Sequence, residues 1–161
     1  MSLDTLNLWV ATGFGLGLSP LASGTAGSLL GLPLAWWLLG RSRRVQLSVA
    51  ALLLLVAVPI CQLASETLGG KDDGRIVADE YLAFPVAVLG QTAARQPLVM
   101  AGAFVAYRVL DATKPPPAAQ LEGVAGGVGI VLDDTVAAFY AWLLLAAALA
   151  LWRRRQARST S

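Results

Sequence analysis

Asp72, Asp73, Asp79 and Glu80, then Asp111, then Asp133 and Asp134 are the residues whose type and spacing promise chemistry. Nine of the ten acidic residues lie between Glu66 and Asp134, and those three blocks hold seven of them. Carboxylates packed together repel one another unless a cation or basic side chains neutralise them, so blocks that converge make a candidate metal site. A solvated, partly salt-bridged loop surface is the plain alternative. In the first block Gly74 separates two carboxylate pairs just ahead of an apolar segment, and Asp79 and Glu80 suit the start of a helix, where negative charge complements the helix dipole. Mg²⁺ is a hard ion that takes oxygen ligands and keeps waters, so a few convergent carboxylates suffice.

Arg108, Asp111 and Lys114 fall on one helical arc that Pro115 ends. Such a basic, acidic, basic stripe binds a phosphate or forms a ladder of local ion pairs. Two small-residue segments accompany the charges. In the first, Thr25, Gly27 and Ser28 either turn toward a phosphate or cap the next helix. In the second, Gly126, Gly127 and Gly129 either present backbone N–H groups to an anion at a helix N-terminus or permit close helix packing.

What is missing narrows the chemistry. Without any histidine, phosphohistidine chemistry, histidine-ligated zinc and Ser-His-Asp triads are excluded. Cys61 is the single cysteine; Thr67, not arginine, stands six residues beyond it, so a cysteine phosphatase loop is absent. It cannot pair within the chain and reads as a small buried hydrophobe. The two closely spaced aspartates of an aspartyl-phosphate enzyme, followed by threonine, are also absent. Metal-activated water attacking a phosphate survives.

These side chains must be positioned by an apolar scaffold. Of 161 residues, 57% are hydrophobic and 14% charged, and mean hydropathy is +0.66, which points to a membrane protein. The net charge of +2 sits in short basic runs beside apolar segments, as in membrane anchors rather than nucleic-acid surfaces. No Lys or Arg precedes Arg41, so a signal peptide is not expected.

We expect a short apolar lead over 6–10, a structured loop over 12–28 and a helix over 29–39. A transmembrane helix follows over 45–65, since 21 uncharged residues exceed the roughly 20 needed to cross. Residues 81–90 and 97–109 read as a helical hairpin, partly or wholly embedded, and 135–152 as a last span stopped by Arg153, Arg154 and Arg155. The expected fold is all-α, a single domain over 1–161, with short and transmembrane helices whose connecting loops converge into one active site. Antiparallel threading brings the acidic blocks to one end and Arg41, Arg43, Arg44, Arg95 and the terminal arginines to the other.

Taken in order, the motifs resemble the phosphatidylglycerophosphatase A family. They are Gly13-Phe14-Gly15 through Gly24-Thr25-Ala26-Gly27-Ser28; Asp72 through Asp79-Glu80; Arg108-Val109-Leu110-Asp111 with Lys114-Pro115 and Pro117; and Gly126-Gly127-Val128-Gly129-Ile130 with Asp133-Asp134. Arg75 and Ala83 depart from residues common in the family. The resemblance implies a multi-pass enzyme of the bacterial inner membrane that hydrolyses the phospholipid phosphatidylglycerophosphate to phosphatidylglycerol and phosphate with Mg²⁺. Asp72, Asp79, Glu80, Asp133 and Asp134 are then the expected metal ligands, with Arg108, Lys114 and Asp111 as catalytic residues. For Asp111 three roles stand open: orienting Arg108, general base, or metal ligand. A small membrane cation channel or transporter with the same acidic cluster is the non-enzymatic alternative. Nothing in the chain points to a protein partner. The positive-inside tendency places the basic end in the cytoplasm, whereas the resemblance implies a lipid made on that same face.

Overall fold

Eight α-helices and two 3₁₀ turns account for the ordered elements of the computed structural model, which describes residues 2–70, 73–121 and 123–159. The helices are α1 (Leu3–Ala11), α2 (Ser23–Ser28), α3 (Gly31–Leu39), α4 (Arg43–Leu68), α5 (Ala78–Ala87), α6 (Pro97–Thr113), α7 (Ala118–Leu121) and α8 (Gly126–Ser159). The 3₁₀ turns are Leu16–Leu18 and Thr92–Arg95. No strand occurs among the described residues, so the fold is all-α as expected.

Local sequence sets the helix ends. Ser2 and Ser42 cap α1 and α4 by accepting the N–H groups of Thr5 and Val45. Gly69 closes α4 in the left-handed region at φ 75°. Pro97 opens α6, and Lys114 ends it at φ 42° just before Pro115.

Helix α5 occupies the middle. On one side Phe84, Ala83 and Ala87 pack with Tyr107 of α6 and with Ala137, Ala138 and Ala141 of α8. On the other, Tyr81 and Leu82 pack with Ala57 and Cys61 of α4 and Val131 of α8. Alanines at these crossings let the backbones approach closely, which is how helices associate when lipid removes the hydrophobic drive between them. Placed here, α5 is a buried core element, and the Thr92–Arg95 turn joins it to α6 as the expected helical hairpin requires.

By length and composition two helices can cross a membrane: α4 and α8, of 26 and 34 residues. Leu52, Leu55 and Val56 on α4, and Phe139, Leu143, Leu144 and Leu151 on α8, are exposed as lipid-facing residues would be.

The acidic and basic ends separate. Arg41 lies 4.6 Å over the Trp37 ring and Arg95 4.5 Å over Trp36, while a side chain at Gly90 would collide with the Arg43 guanidinium. Arginine stacked on tryptophan is an interfacial anchor.

Two expectations are corrected. Helix α8 begins at Gly126 rather than Thr135, so Asp133 and Asp134 sit two turns inside a helix and not in the loop before it. The cause is close packing: a Cβ at Gly127 would run into the Val58 carbonyl and Gln62 of α4. Helix α6 likewise continues past Val109 to Thr113, so Arg108 and Asp111 are helical as their spacing suggests, whereas Lys114 falls just past the helix end and off the expected arc.

Candidate active site

Asp79, Glu80, Arg108, Asp111, Lys114, Asp133 and Asp134 line one cavity of about 280 Å³, together with Ser23, Gly24, Gly74, Ile76 and Ala112. Most of these side chains come from helices α2, α5, α6 and α8; Gly74, Ile76 and Lys114 come from connections. Helices, more than converging loops, therefore build the site. That follows from the early start of α8 and the late end of α6.

Each element contributes for a local reason. Asp79 and Glu80 occupy the first turn of α5, whose N-terminal end favours negative charge. Arg108 and Asp111 stand one turn apart on α6, and Arg108 Nη1 donates to Asp111 Oδ2 at 2.7 Å. The same guanidinium lies 3.2 Å from Glu80 Oε1 and donates to Ser28 Oγ at 3.2 Å. Lys114, past the helix end, reaches Asp133 Oδ2 at 2.9 Å. Asp79, Asp133 and Asp134 are buried.

Five carboxylates thus face two cations inside one small cavity. Burial pushes Glu80 up to about 7, against the pull of Arg108 and of the Ser28 hydroxyl. The excess of buried negative charge is costly unless a further cation or a proton answers it. Arg108 Nε is buried and has no hydrogen-bond partner among the described residues, leaving a donor for an anion. Among those residues no three carboxylates close into a ready-made metal cage. Mg²⁺, however, binds through one or two carboxylates and keeps several waters, so these buried oxygen donors fit it.

One functional side chain, Tyr107, escaped sequence reasoning, and Ser23 and Gly24 of the small-residue segment take roles that the sequence did not assign them. The fully buried Tyr107 hydroxyl lies 2.8 Å from Asp134 Oδ1, as a donor, and 3.2 Å from the Glu80 carbonyl. Its place one residue before Arg108 is the only sequence signal. Ser23 Oγ donates to the Gly74 carbonyl at 2.7 Å, tying α2 to the acidic connection. Gly24 leaves the space that a Cβ would fill against Glu80 Oε1 and Arg108 Nη2.

The phosphate-cradle residues divide. Ser28 is at the site edge, 2.8 Å from Glu80 Oε2. Thr25 does not line the cavity, and Gly27 is pressed against Val77. Gly126, Gly127 and Gly129 are not brought to it either: Gly127 N–H donates to Gln62 Oε1 at 2.6 Å, and a Cβ at Gly129 would strike the Val124 carbonyl. Asp72 lies outside the described residues. Its neighbour Asp73 is held by Arg75, at 2.6 Å and 2.8 Å, and lowered to about 2 by that hydrogen bonding.

The sequence model of the phosphatidylglycerophosphatase A family matches residues 9–149. The chain is 36% identical to phosphatidylglycerophosphatase A of Escherichia coli over 139 residues, 84% of this chain and 80% of that protein. It is 34% identical to the Haemophilus influenzae protein of the same name over 138 residues, 84% of each. A Bacteroides thetaiotaomicron protein provisionally named phosphatidylinositol-3-phosphatase is 33% identical over 148 residues, 89% of this chain and 93% of that one. No solved structure gives a significant match. With most of its length matched, including every acidic block that meets in the cavity, the chain belongs to the phosphatidylglycerophosphatase A family of phosphatases.

Proposed function

We propose that the chain removes the terminal phosphate of phosphatidylglycerophosphate by Mg²⁺-dependent hydrolysis, in the inner membrane of a bacterium, which it crosses more than once. Water adds across the terminal phosphoester bond and yields phosphatidylglycerol and inorganic phosphate. The observation that carries this is the single cavity in which Asp79, Glu80, Asp111, Asp133 and Asp134 meet Arg108 and Lys114.

Asp79, Glu80, Asp133 and Asp134, with Asp72, are the residues that would hold Mg²⁺. Bound there, the ion supplies Lewis acidity toward a phosphoryl oxygen and lowers the pKa of a coordinated water. The chain's own groups do the rest. Arg108 presents its guanidinium to phosphoryl oxygens as negative charge develops on them, and Lys114 adds a second positive charge across the cavity. The 2.7 Å bond to Arg108 supports an orienting role for Asp111. Tyr107 fixes Asp134 from behind, as outer hydrogen bonds do for metal-ligating carboxylates. Gly24 keeps the mouth of the cavity open.

Phosphate release by purified protein in detergent, with and without Mg²⁺, tests the proposal. Phosphatidylglycerophosphate is compared with phosphatidylinositol 3-phosphate, the lipid in the name of the Bacteroides relative. Release that requires Mg²⁺ and favours the first lipid is expected. Cation flux into vesicles without any phosphate release would instead establish the channel or transporter.

A further inference from the structure

Beside the Ser28–Arg108 contact, beginning at Leu29, an apolar groove lies between α3 and α6. It encloses about 520 Å³. Leu29, next to Ser28, begins one wall, and Leu32, Pro33 and Trp36 continue it. Ala101 and Val105 of α6 form the opposite wall. Its floor includes Phe104, set edge-on against Phe84 at 5.7 Å. Arg95, stacked on Trp36 at 4.5 Å, flanks the far end.

The groove adjoins the charged site through neighbouring residues: Leu29 follows Ser28, and Val105 precedes Arg108 by one helical turn. Val105 and Arg108 share one face of α6, and Arg108 Nη1 donates to Ser28 Oγ at 3.2 Å, beside the first groove residue, Leu29. From Pro97 to Val105 it extends about 12 Å at the helical rise, a length that suits much of an acyl chain. A larger apolar groove of about 580 Å³ runs along α6 and α8, but on the opposite face of α6, turned away from Arg108 and Asp111.

We infer that the α3–α6 groove seats one acyl chain of the phospholipid whose phosphate occupies the cavity. This rests on the proposed phosphatase activity. The headgroup is fixed by charge at one end and the chain by apolar burial along α3 and α6, so the lipid enters sideways from the bilayer. Trp36 and Arg95 mark where the chain leaves the groove.

The test fills the groove without touching the charged residues. Ala101 and Val105 are exposed on α6, so Ala101→Trp is accommodated, and Val105→Trp repeats the test should the first variant fold poorly. Displacing a few methylenes from the groove is expected to raise KM for long-chain phosphatidylglycerophosphate by about tenfold. KM and kcat on the deacylated headgroup stay at wild-type values, and so does Leu98→Trp, placed in the opposite groove, on both substrates. An unchanged KM, an equal rise on both substrates, or the same rise in Leu98→Trp overturns the inference. A phospholipid phosphomonoester with a diazirine in one acyl chain supplies a readout independent of turnover. Label concentrated on Leu32, Trp36 and Val105 supports the groove, and label spread equally over the exposed faces of α4 and α8 overturns it. Wild-type protein that releases no phosphate from the lipid defeats the proposed activity, and the labelling pattern then decides the groove alone.

Discussion

The buried Tyr107 hydroxyl of α6 donates to Asp134 Oδ1 of α8 at 2.8 Å. It lies 3.2 Å from the backbone carbonyl of Glu80 as well, so one phenol joins α5, α6 and α8 behind the cavity. Tyr107→Phe keeps the ring that packs on Phe84 and removes only the hydroxyl. Outer hydrogen bonds of this kind are worth about 10- to 100-fold in metal affinity. The Mg²⁺ concentration for half-maximal phosphate release is expected to rise by that factor, with the rate largely recovered at saturating Mg²⁺. A purely structural tyrosine would lower thermal stability and leave the Mg²⁺ dependence where it was.

Asp79→Asn and Asp134→Asn keep shape and remove charge from the two positions that lie deepest among the site's carboxylates. Each is expected to reduce phosphate release by more than about 100-fold, beyond the effect of an outer contact. Circular dichroism should be unchanged, since relieving buried negative charge does not harm the fold. Near-wild-type release by either variant removes that residue from the metal site.

Gly24→Ala tests the space at the cavity mouth. The substitution favours the helical backbone of α2, yet its Cβ would press on Glu80 Oε1 and Arg108 Nη2. A displacement of the guanidinium on the order of 1 Å costs about 100-fold in kcat/KM. Activity is therefore expected to fall by about that factor while the melting temperature holds or rises. Unaltered kcat/KM would show that the cavity has room to spare there.

The charged lining of the cavity was far more legible in the sequence than its framing. Charge in so apolar a chain is costly wherever it is placed, so the positions of Asp79, Glu80, Arg108, Asp111, Asp133 and Asp134 stand out by composition, and helix-scale threading brings them together. What stayed hidden is packing. Uncharged runs locate the centres of α4 and α8, but Asp133 and Asp134 interrupt hydropathy inside α8 and so disguise its first two turns. Tyr107 and Gly24 matter through contacts 27 and more residues away, which no local pattern records. The glycines at 126–129 have two roles with one sequence signature, and only the position of α4 separates them.

Glu80 gives the metal-free protein a definite response to pH. Its folded value, about 7, lies above the ordinary carboxylate value of 4.5 because burial penalises the charge. Between those two values the folded state holds more protons than the unfolded state, so stability falls as pH rises through that window and is lowest above it. With Mg²⁺ chelated, the melting temperature is expected to rise as pH is lowered from about 8 to about 6, and Glu80→Gln to flatten part of that slope. A wild-type profile that Glu80→Gln does not alter would place the titration elsewhere.

Gly127→Ala separates packing from phosphate binding. A Cβ there meets the Val58 carbonyl and the Gln62 backbone on α4, neither of which is a flexible side-chain end. Forcing the two helices apart is expected to cost about 1–3 kcal/mol, the range of overpacked cores. The Gln62 bond to the Gly127 amide weakens as the helices part. The melting temperature should therefore drop, while KM for the lipid in the folded fraction stays at its wild-type value because Gly127 does not line the cavity. A raised KM at unchanged stability would return the amide to the phosphate and reverse the assignment of this glycine run to helix packing.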